Sequence, residues 1–260
     1  IGKEGDGARV AVITGASGGL GRELAGQLAA KGWDLLLTAR RAGQLEALAA
    51  ALRAAHGVAV QVCPADLSRP EEVDALLRAC ADLPVGLVIN NAGAGQIGPS
   101  SDIPWEVEEA LLTANMLAPC RLTKAFAASM ERGSILNVAS LAGFQPEPGM
   151  ASYAASKAFL LQWSRAVGYE LKREGRPVRL AVFCPGPLAT GFDRAAGATA
   201  VRRGMSPTRC ARIALRGLAR GKAVILPGAG AKLLHLLGKL LPTRLMLPAQ
   251  YRIQGRKIQR

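Results

Sequence analysis

Tyr153 and Lys157 stand four residues apart in a segment whose apolar spacing predicts a helix over Ser152–Glu174. At that separation their side chains share one face. A phenol, with an ordinary pKa of about 10, is a poor base near neutrality. A neighbouring ammonium stabilises the phenolate and lowers that pKa, and the pair could then exchange a proton with a substrate oxygen. Ser140, thirteen residues upstream, could offer its hydroxyl to the same oxygen and to the negative charge that develops on it. Tyr-x-x-x-Lys also arises by chance, and a strand-end serine can merely bond backbone. Their weight comes from their company.

That company is a glycine-rich turn, Thr14-Gly15-Ala16-Ser17-Gly18-Gly19-Leu20-Gly21, which directly follows an apolar run and opens a helix-period segment. Glycines let such a turn bend and approach a pyrophosphate, and the helix N-terminus favours its negative charge. The next strand-like run ends in Thr38-Ala39-Arg40-Arg41, where an acidic residue would accept hydrogen bonds from the ribose hydroxyls of NAD. A guanidinium at Arg40 instead suits a 2′-phosphate, with a solvated arginine at a helix start as the plainer reading. The expected cofactor is NADP(H).

These residues need a scaffold. Short Val/Leu/Ile-rich runs at Arg9–Thr14, Asp34–Thr38, Val58–Val62, Gly86–Ile89, Ser134–Val138, Val178–Phe183 and Ala223–Leu226 read as strands buried on both faces. Between them, helical spacing covers Leu20–Lys31, Ala42–His56, Pro70–Ala81, Pro104–Met130, Ser152–Glu174 and Pro207–Arg220. Strands alternating with helices predict an α/β fold: a single doubly wound, mostly seven-stranded parallel sheet with helices on both faces. Residues 1–227 form this domain, and residues 228–260 a basic, Leu-rich extension.

Taken together, the T-G-x-x-x-G-x-G turn, Asn90-Asn91-Ala92-Gly93, Ser140, Tyr153-Ala154-Ala155-Ser156-Lys157 and Pro185-Gly186 resemble the short-chain dehydrogenase/reductase family, over roughly residues 9–227. The resemblance implies a Rossmann-type fold and hydride transfer between a ketone and a secondary alcohol. It implies a catalytic set of Asn115, Ser140, Tyr153 and Lys157, with Asn115 holding a water that links Lys157 to solvent. It also implies that Gly15, Ser17, Gly19, Leu20 and Gly21 cradle the dinucleotide and that Lys157 reaches its ribose. Asp66 and Leu67 would border the adenine, Asn91 and Gly93 the adenosine side of the cleft. Pro185, Gly186, Leu188 and Thr190 would lie towards the nicotinamide. Asp66 serves equally well as a helix cap.

Composition removes several other classes. Five widely spaced cysteines, Cys63, Cys80, Cys120, Cys184 and Cys210, contain no C-x-x-C, and only His56 and His235 could assist them. A disulfide framework or metal site is not expected. Ser140 lacks the G-x-S-x-G of a serine hydrolase. No apolar run suggests a membrane span, and the N-terminal residues leave no room for a signal peptide. The chain reads as cytoplasmic.

Charge is unevenly distributed within the net +14: residues 194–260 hold 15 Lys and Arg and no acid, against 18 basic and 19 acidic residues before them. In that tail Leu233, Leu234, Leu236, Leu237, Leu240 and Leu241 share one side of a short helix that Pro242 ends. Three readings stay open: a lid or subunit contact, an anionic membrane surface met peripherally, or an acidic partner such as an acyl carrier protein or coenzyme A thioester. Nucleic acid is not expected, since aromatic residues scarcely interleave with the basic ones. The expected partners are a carbonyl or alcohol substrate, lipophilic or acyl-thioester, and further copies in a homodimer or homotetramer, as the family habitually forms. A catalytically silent dinucleotide sensor is the competing class.

Overall fold

The computed structural model describes residues 10–197, 204–228 and 243–255. Seven strands, β1 (Val10–Thr14), β2 (Asp34–Thr38), β3 (Val60–Val62), β4 (Val85–Asn90), β5 (Gly133–Val138), β6 (Val178–Phe183) and β7 (Val224–Ile225), form one sheet. They run parallel in the order β3-β2-β1-β4-β5-β6-β7. The order reverses direction at β1/β4, which opens a crevice above the carboxyl ends of those two strands.

Alternation along each strand fills both faces. In β1, Ala11 and Ile13 pack towards α1 (Gly19–Ala29), α2 (Ala42–His56) and α8 (Pro207–Ala219), among Leu24, Leu28, Leu45 and Leu215. Val10 and Val12 pack on the other side with Leu36 and Val88, against α3 (Pro70–Ala79) and α5 (Ala118–Ser129) through Leu76, Leu122 and Phe126. Every residue of β1 is buried, as expected of a strand covered on both sides. All five cysteines are free thiols.

The expected elements appear with boundary shifts of a residue or two, and one is altered in kind. In place of an unbroken helix over Pro104–Met130 there is α4 (Trp105–Leu112), a π-turn at Thr113–Leu117, and then α5. The wider turn surrounds the fully buried Asn115, whose side chain hydrogen-bonds outside its own helix. A π-turn lets the chain resume its helix while one residue is turned to another task. Unforeseen were 3-10 turns at Ser100–Asp102 and Leu141–Phe144, the short α7 (Phe192–Ala195), and α9 (Thr243–Gly255), which carries Pro248 within it. The Leu-rich stretch around Leu233–Leu241, with Pro242, lies outside the described residues.

The long α6 (Ala151–Arg173) rests on β6 and the Leu141–Phe144 turn. Beneath it a buried polar chain crosses the sheet: Asn90 Nδ2 donates to Asn137 Oδ1 (2.8 Å), and Asn137 Nδ2 donates to Ser164 Oγ on α6 (2.9 Å). Thr123 on α5 joins both asparagines. Hydrogen bonds between apolar layers are directional, so this chain sets the register of α5 and α6 on β4 and β5.

Candidate active site

The glycine turn is tied to β4. Thr14 Oγ1 accepts the backbone N–H groups of Asn91 and Ala92, both at 2.9 Å. Asn91 Nδ2 donates to the carbonyls of Thr14 (2.9 Å) and Gly15 (3.3 Å). The Asn91 side chain therefore holds the turn itself. Gly21 has no room for a side chain, since a Cβ there would lie 2.2 Å from the Gly15 carbonyl oxygen and 2.7 Å from Asn91 Nδ2. No side chain caps the N-terminus of α1 at Gly18, so its first N–H groups face the crevice, as an anion-binding turn requires. The turn fits a dinucleotide pyrophosphate.

Two arginines follow β2. Arg41 donates to Ser17 Oγ at 3.0 Å across the turn, which places a second cation over the glycines. The spacing pointed only to Arg40, although the Arg40-Arg41 doublet was the available signal. Arg40 lies on an open cleft with Pro64, Ala65, Asp66, Arg69 and Glu72. Asp66 Oδ1 accepts from the Ser68 N–H (3.0 Å) and hydroxyl (2.8 Å). Burial works to raise the Asp66 carboxyl, but these bonds and the nearby Arg40 and Arg69 outweigh it and hold its pKa low. Asp66 thus caps its own loop beside the cleft and not α3, whose N-terminus at Arg69 has no side-chain cap. Leu67 turns its side chain into the core with Val12 and Val73.

Ser140, Tyr153 and Lys157 converge where β5 and α6 meet. Ser140 Oγ accepts the Ala142 N–H at 3.1 Å and shares a hydrogen bond with the Tyr153 phenol. Lys157 Nζ donates to the Val138 carbonyl at 3.1 Å and lies 5.8 Å from the centre of the Tyr153 ring. The expected lowering of the Tyr153 pKa is corrected here. Burial pushes the phenol up to about 12, and the negative charges of Glu147 and Asp193 act in the same direction against the Ser140 hydrogen bond. Burial also pulls Lys157 down to about 8, with Cys184 opposing. Both shifts have one physical cause: removing water disfavours the charged form of each group.

Asn115 is fully committed. Its Nδ2 donates to Ala94 O (2.9 Å) and Ser156 Oγ (3.0 Å), while its Oδ1 accepts the Ala94 N–H (2.9 Å). It clamps the loop after β4 to α6, one residue before Lys157. Gly93 lies at this end of the crevice, where a Cβ would come within 3.1 Å of Asn115 Oδ1 and Lys157 Nζ. Gly93 thus lies beside Lys157 and Asn115.

The segment after β6 closes over the crevice. The Pro185 carbonyl accepts the Leu141 N–H at 2.9 Å, and Gly186 faces the Leu141 side chain. Leu188 pairs with Met205 in a one-residue parallel bridge. Thr190 lies against Gly19, whose Cβ would be 3.2 Å from Thr190 Cγ2, and its Oγ1 accepts the Phe192 N–H at 3.2 Å. Sequence reasoning did not find Phe192 or Ile97, which form a small apolar group with Met150 and Tyr153. Loop residues of this kind leave no periodic trace.

The short chain dehydrogenase family profile matches residues 9–200, and the chain belongs to that family. Among curated relatives, a very-long-chain 3-oxoacyl-CoA reductase of Podospora anserina is 39% identical over 180 residues, 66% of this chain and 53% of that protein. The chain spans about half the length of the curated relatives it matches. A short-chain dehydrogenase from Sphingobium yanoikuyae, solved in complex with NADPH, superposes with a TM-score of 0.81. It is 35% identical, covering 92% of this chain and 94% of that one. A family member from Burkholderia phymatum in complex with NAD also reaches 0.81, at 26% identity and 88% and 92% coverage.

Proposed function

We propose that the chain is an NADP(H)-dependent reductase acting on the ketone of a lipophilic acyl thioester, with Tyr153 as its general acid. The observation that carries this reading is the convergence of the Tyr153 phenol, the Ser140 hydroxyl and the Lys157 ammonium at the carboxyl end of the sheet. A phenol set beside a second hydroxyl there can hand its proton to a substrate oxygen as hydride arrives.

NADPH, when bound, supplies the hydride. Ser140 orients the substrate oxygen and donates to it as negative charge develops. Tyr153 then releases its proton to that oxygen, and Lys157, with its pKa near 8, stabilises the phenolate that remains. Asn115 holds Ala94 and Ser156 in register so that Lys157 stays in place. Gly15, Ser17, Gly19, Leu20 and Gly21 cradle the pyrophosphate, and Arg40 with Arg41 meets the 2′-phosphate, which a carboxylate would repel. The NAD-bound relative makes the dinucleotide preference depend on these two arginines rather than on the fold. Asp66 and the Leu67 backbone border the adenine. Pro185, Gly186, Leu188 and Thr190 flank the reacting end.

The thioester assignment draws on the 3-oxoacyl-CoA reductases that the chain resembles and on its basic C-terminal quarter. Arg244 and Arg252 on α9 are exposed, and coenzyme A carries several phosphates of opposite charge. No helix among the described residues is long and apolar enough to cross a membrane.

The test is NADPH oxidation with 3-oxoacyl-CoA thioesters of graded length, alongside Tyr153→Phe. Turnover that the substitution abolishes, with NADPH binding retained, supports the reading. Turnover that survives Tyr153→Phe removes the general acid, and binding of NADPH with no turnover of any ketone favours the sensor.

A further inference from the structure

Outside the hydrogen-bonded site, one aromatic side chain sits on the reacting phenol. The Phe192 ring packs on the Tyr153 ring with centroids 5.4 Å apart and planes at 49°. Behind it is Gly95, where a Cβ would lie 2.6 Å from Phe192 Cζ and 3.0 Å from Cε1. The glycine is thus the seat into which the ring fits. Residues 95–98 tie this seat to both neighbours: Ile97 N–H donates to Ala196 O on the α7 side (2.8 Å), and Gly98 N–H donates to Gly149 O before α6 (3.0 Å). Ile97, Met150 and Ala196 complete the wall and are nearly inaccessible to solvent.

We propose that Phe192, wedged between Gly95 and Tyr153, is the residue that selects substrates by the bulk of the group beside the reacting carbonyl. A carbonyl oxygen that reaches Tyr153 and Ser140 must place one of its substituents against this ring. The ring and its neighbours Ile97, Met150 and Ala196 are apolar, so an unbranched acyl chain packs on them while a branch at the adjoining carbon collides with the ring. A fixed apolar wall of this kind discriminates by about 10- to 200-fold for a single methylene. The inference deepens the ketone-reductase reading and rests on it.

The experiment compares wild type with Phe192→Ala, Phe192→Leu and Gly95→Ala in the full chain. The first readout is kcat/KM for 3-oxoacyl-CoA thioesters with and without a 2-methyl branch. Phe192→Ala should raise the branched-to-unbranched ratio by about tenfold or more. Gly95→Ala, which evicts the ring without shortening it, should move the ratio too, and Phe192→Leu should fall between. The second readout needs no substrate: the alkaline absorbance titration of Tyr153, isolated by difference against Tyr153→Phe. Glu147, Asp193, Ser140 and Lys157 face the phenol in every variant, so opening the wall should let Tyr153 ionise at lower pH.

An unchanged branched-to-unbranched ratio in folded Phe192→Ala and Gly95→Ala overturns the selecting role. A Tyr153 titration that none of the three variants moves overturns the seating of the ring. A wild type inert towards every ketone overturns the reductase reading, and the selecting role with it, while the titration still reports whether Phe192 covers the phenol.

Discussion

Lys157 Nζ lies 5.8 Å from the centre of the Tyr153 ring but gives its hydrogen bond to the Val138 carbonyl, 3.1 Å away. The lysine is therefore anchored to β5 beside the Tyr153 ring. In the proposed reduction its charge, rather than a shared proton, is what Lys157 brings to Tyr153.

That charge is pH-sensitive, because burial brings the Lys157 pKa to about 8. Below 8 the ammonium is present to stabilise the phenolate formed as Tyr153 donates. Above 8 it is lost. The rate of ketone reduction at saturating substrate should decline about tenfold per pH unit beyond this value if only protonated enzyme turns over. A pH profile of kcat flat to pH 10 would remove Lys157 from the step.

The same depression costs stability. Between the folded pKa of about 8 and the ordinary 10.5, the unfolded chain binds more protons at this residue than the folded chain. The Lys157 contribution to stability therefore rises with pH across that window, and its burial penalty is fully present below 8. Lys157→Met should stabilise the fold at pH 7 by an amount on the order of 2 kcal/mol, with the advantage shrinking towards pH 10. Chemical denaturation of both proteins at several pH values measures it.

Arg41 reaches across the glycine turn to Ser17, and Arg40 lines the neighbouring cleft. Replacing either by Ala should weaken NADPH binding about tenfold, the scale of one charge-assisted hydrogen bond, and leave NADH almost unaffected. Fluorescence titration with both dinucleotides checks this. Equal losses for the two would show that the arginines support the turn and do not read a phosphate.

Asn115→Ala would leave the part-buried Ala94 N–H and carbonyl without their partners and take one hydrogen bond from Ser156, whose hydroxyl still donates to the Tyr153 carbonyl. A loss of about 2–4 kcal/mol in unfolding free energy is expected, together with reduced turnover, because the clamp lies next to Lys157. Calorimetry and a kcat measurement on the same preparation test both.

Much of this was legible in advance. The strands announced themselves through short aliphatic runs, since a strand covered on both faces has no polar side to show. The catalytic helix was readable from the four-residue step between Tyr153 and Lys157, and the glycine turn from a density of glycine that no helix or strand tolerates. The π-turn was not readable, because Thr113–Leu117 has ordinary helical composition and only the buried bonds of Asn115 reveal why the helix widens there. Arg41 was passed over in favour of Arg40, since adjacent residues differ only in which way the folded backbone turns them.

The amino-acid order by itself determined the alternation of elements, the turn that suits a pyrophosphate, and the identities of Ser140, Tyr153 and Lys157. These are local matters, settled by side-chain type and by periods of two and 3.6 residues. Only the tertiary structure decided the direction in which burial shifts the phenol and the lysine, the clamp from Asn115 to Ala94, and the seat of Phe192 against Gly95. Each depends on groups brought together from separate parts of the chain, and on the water their contact excludes.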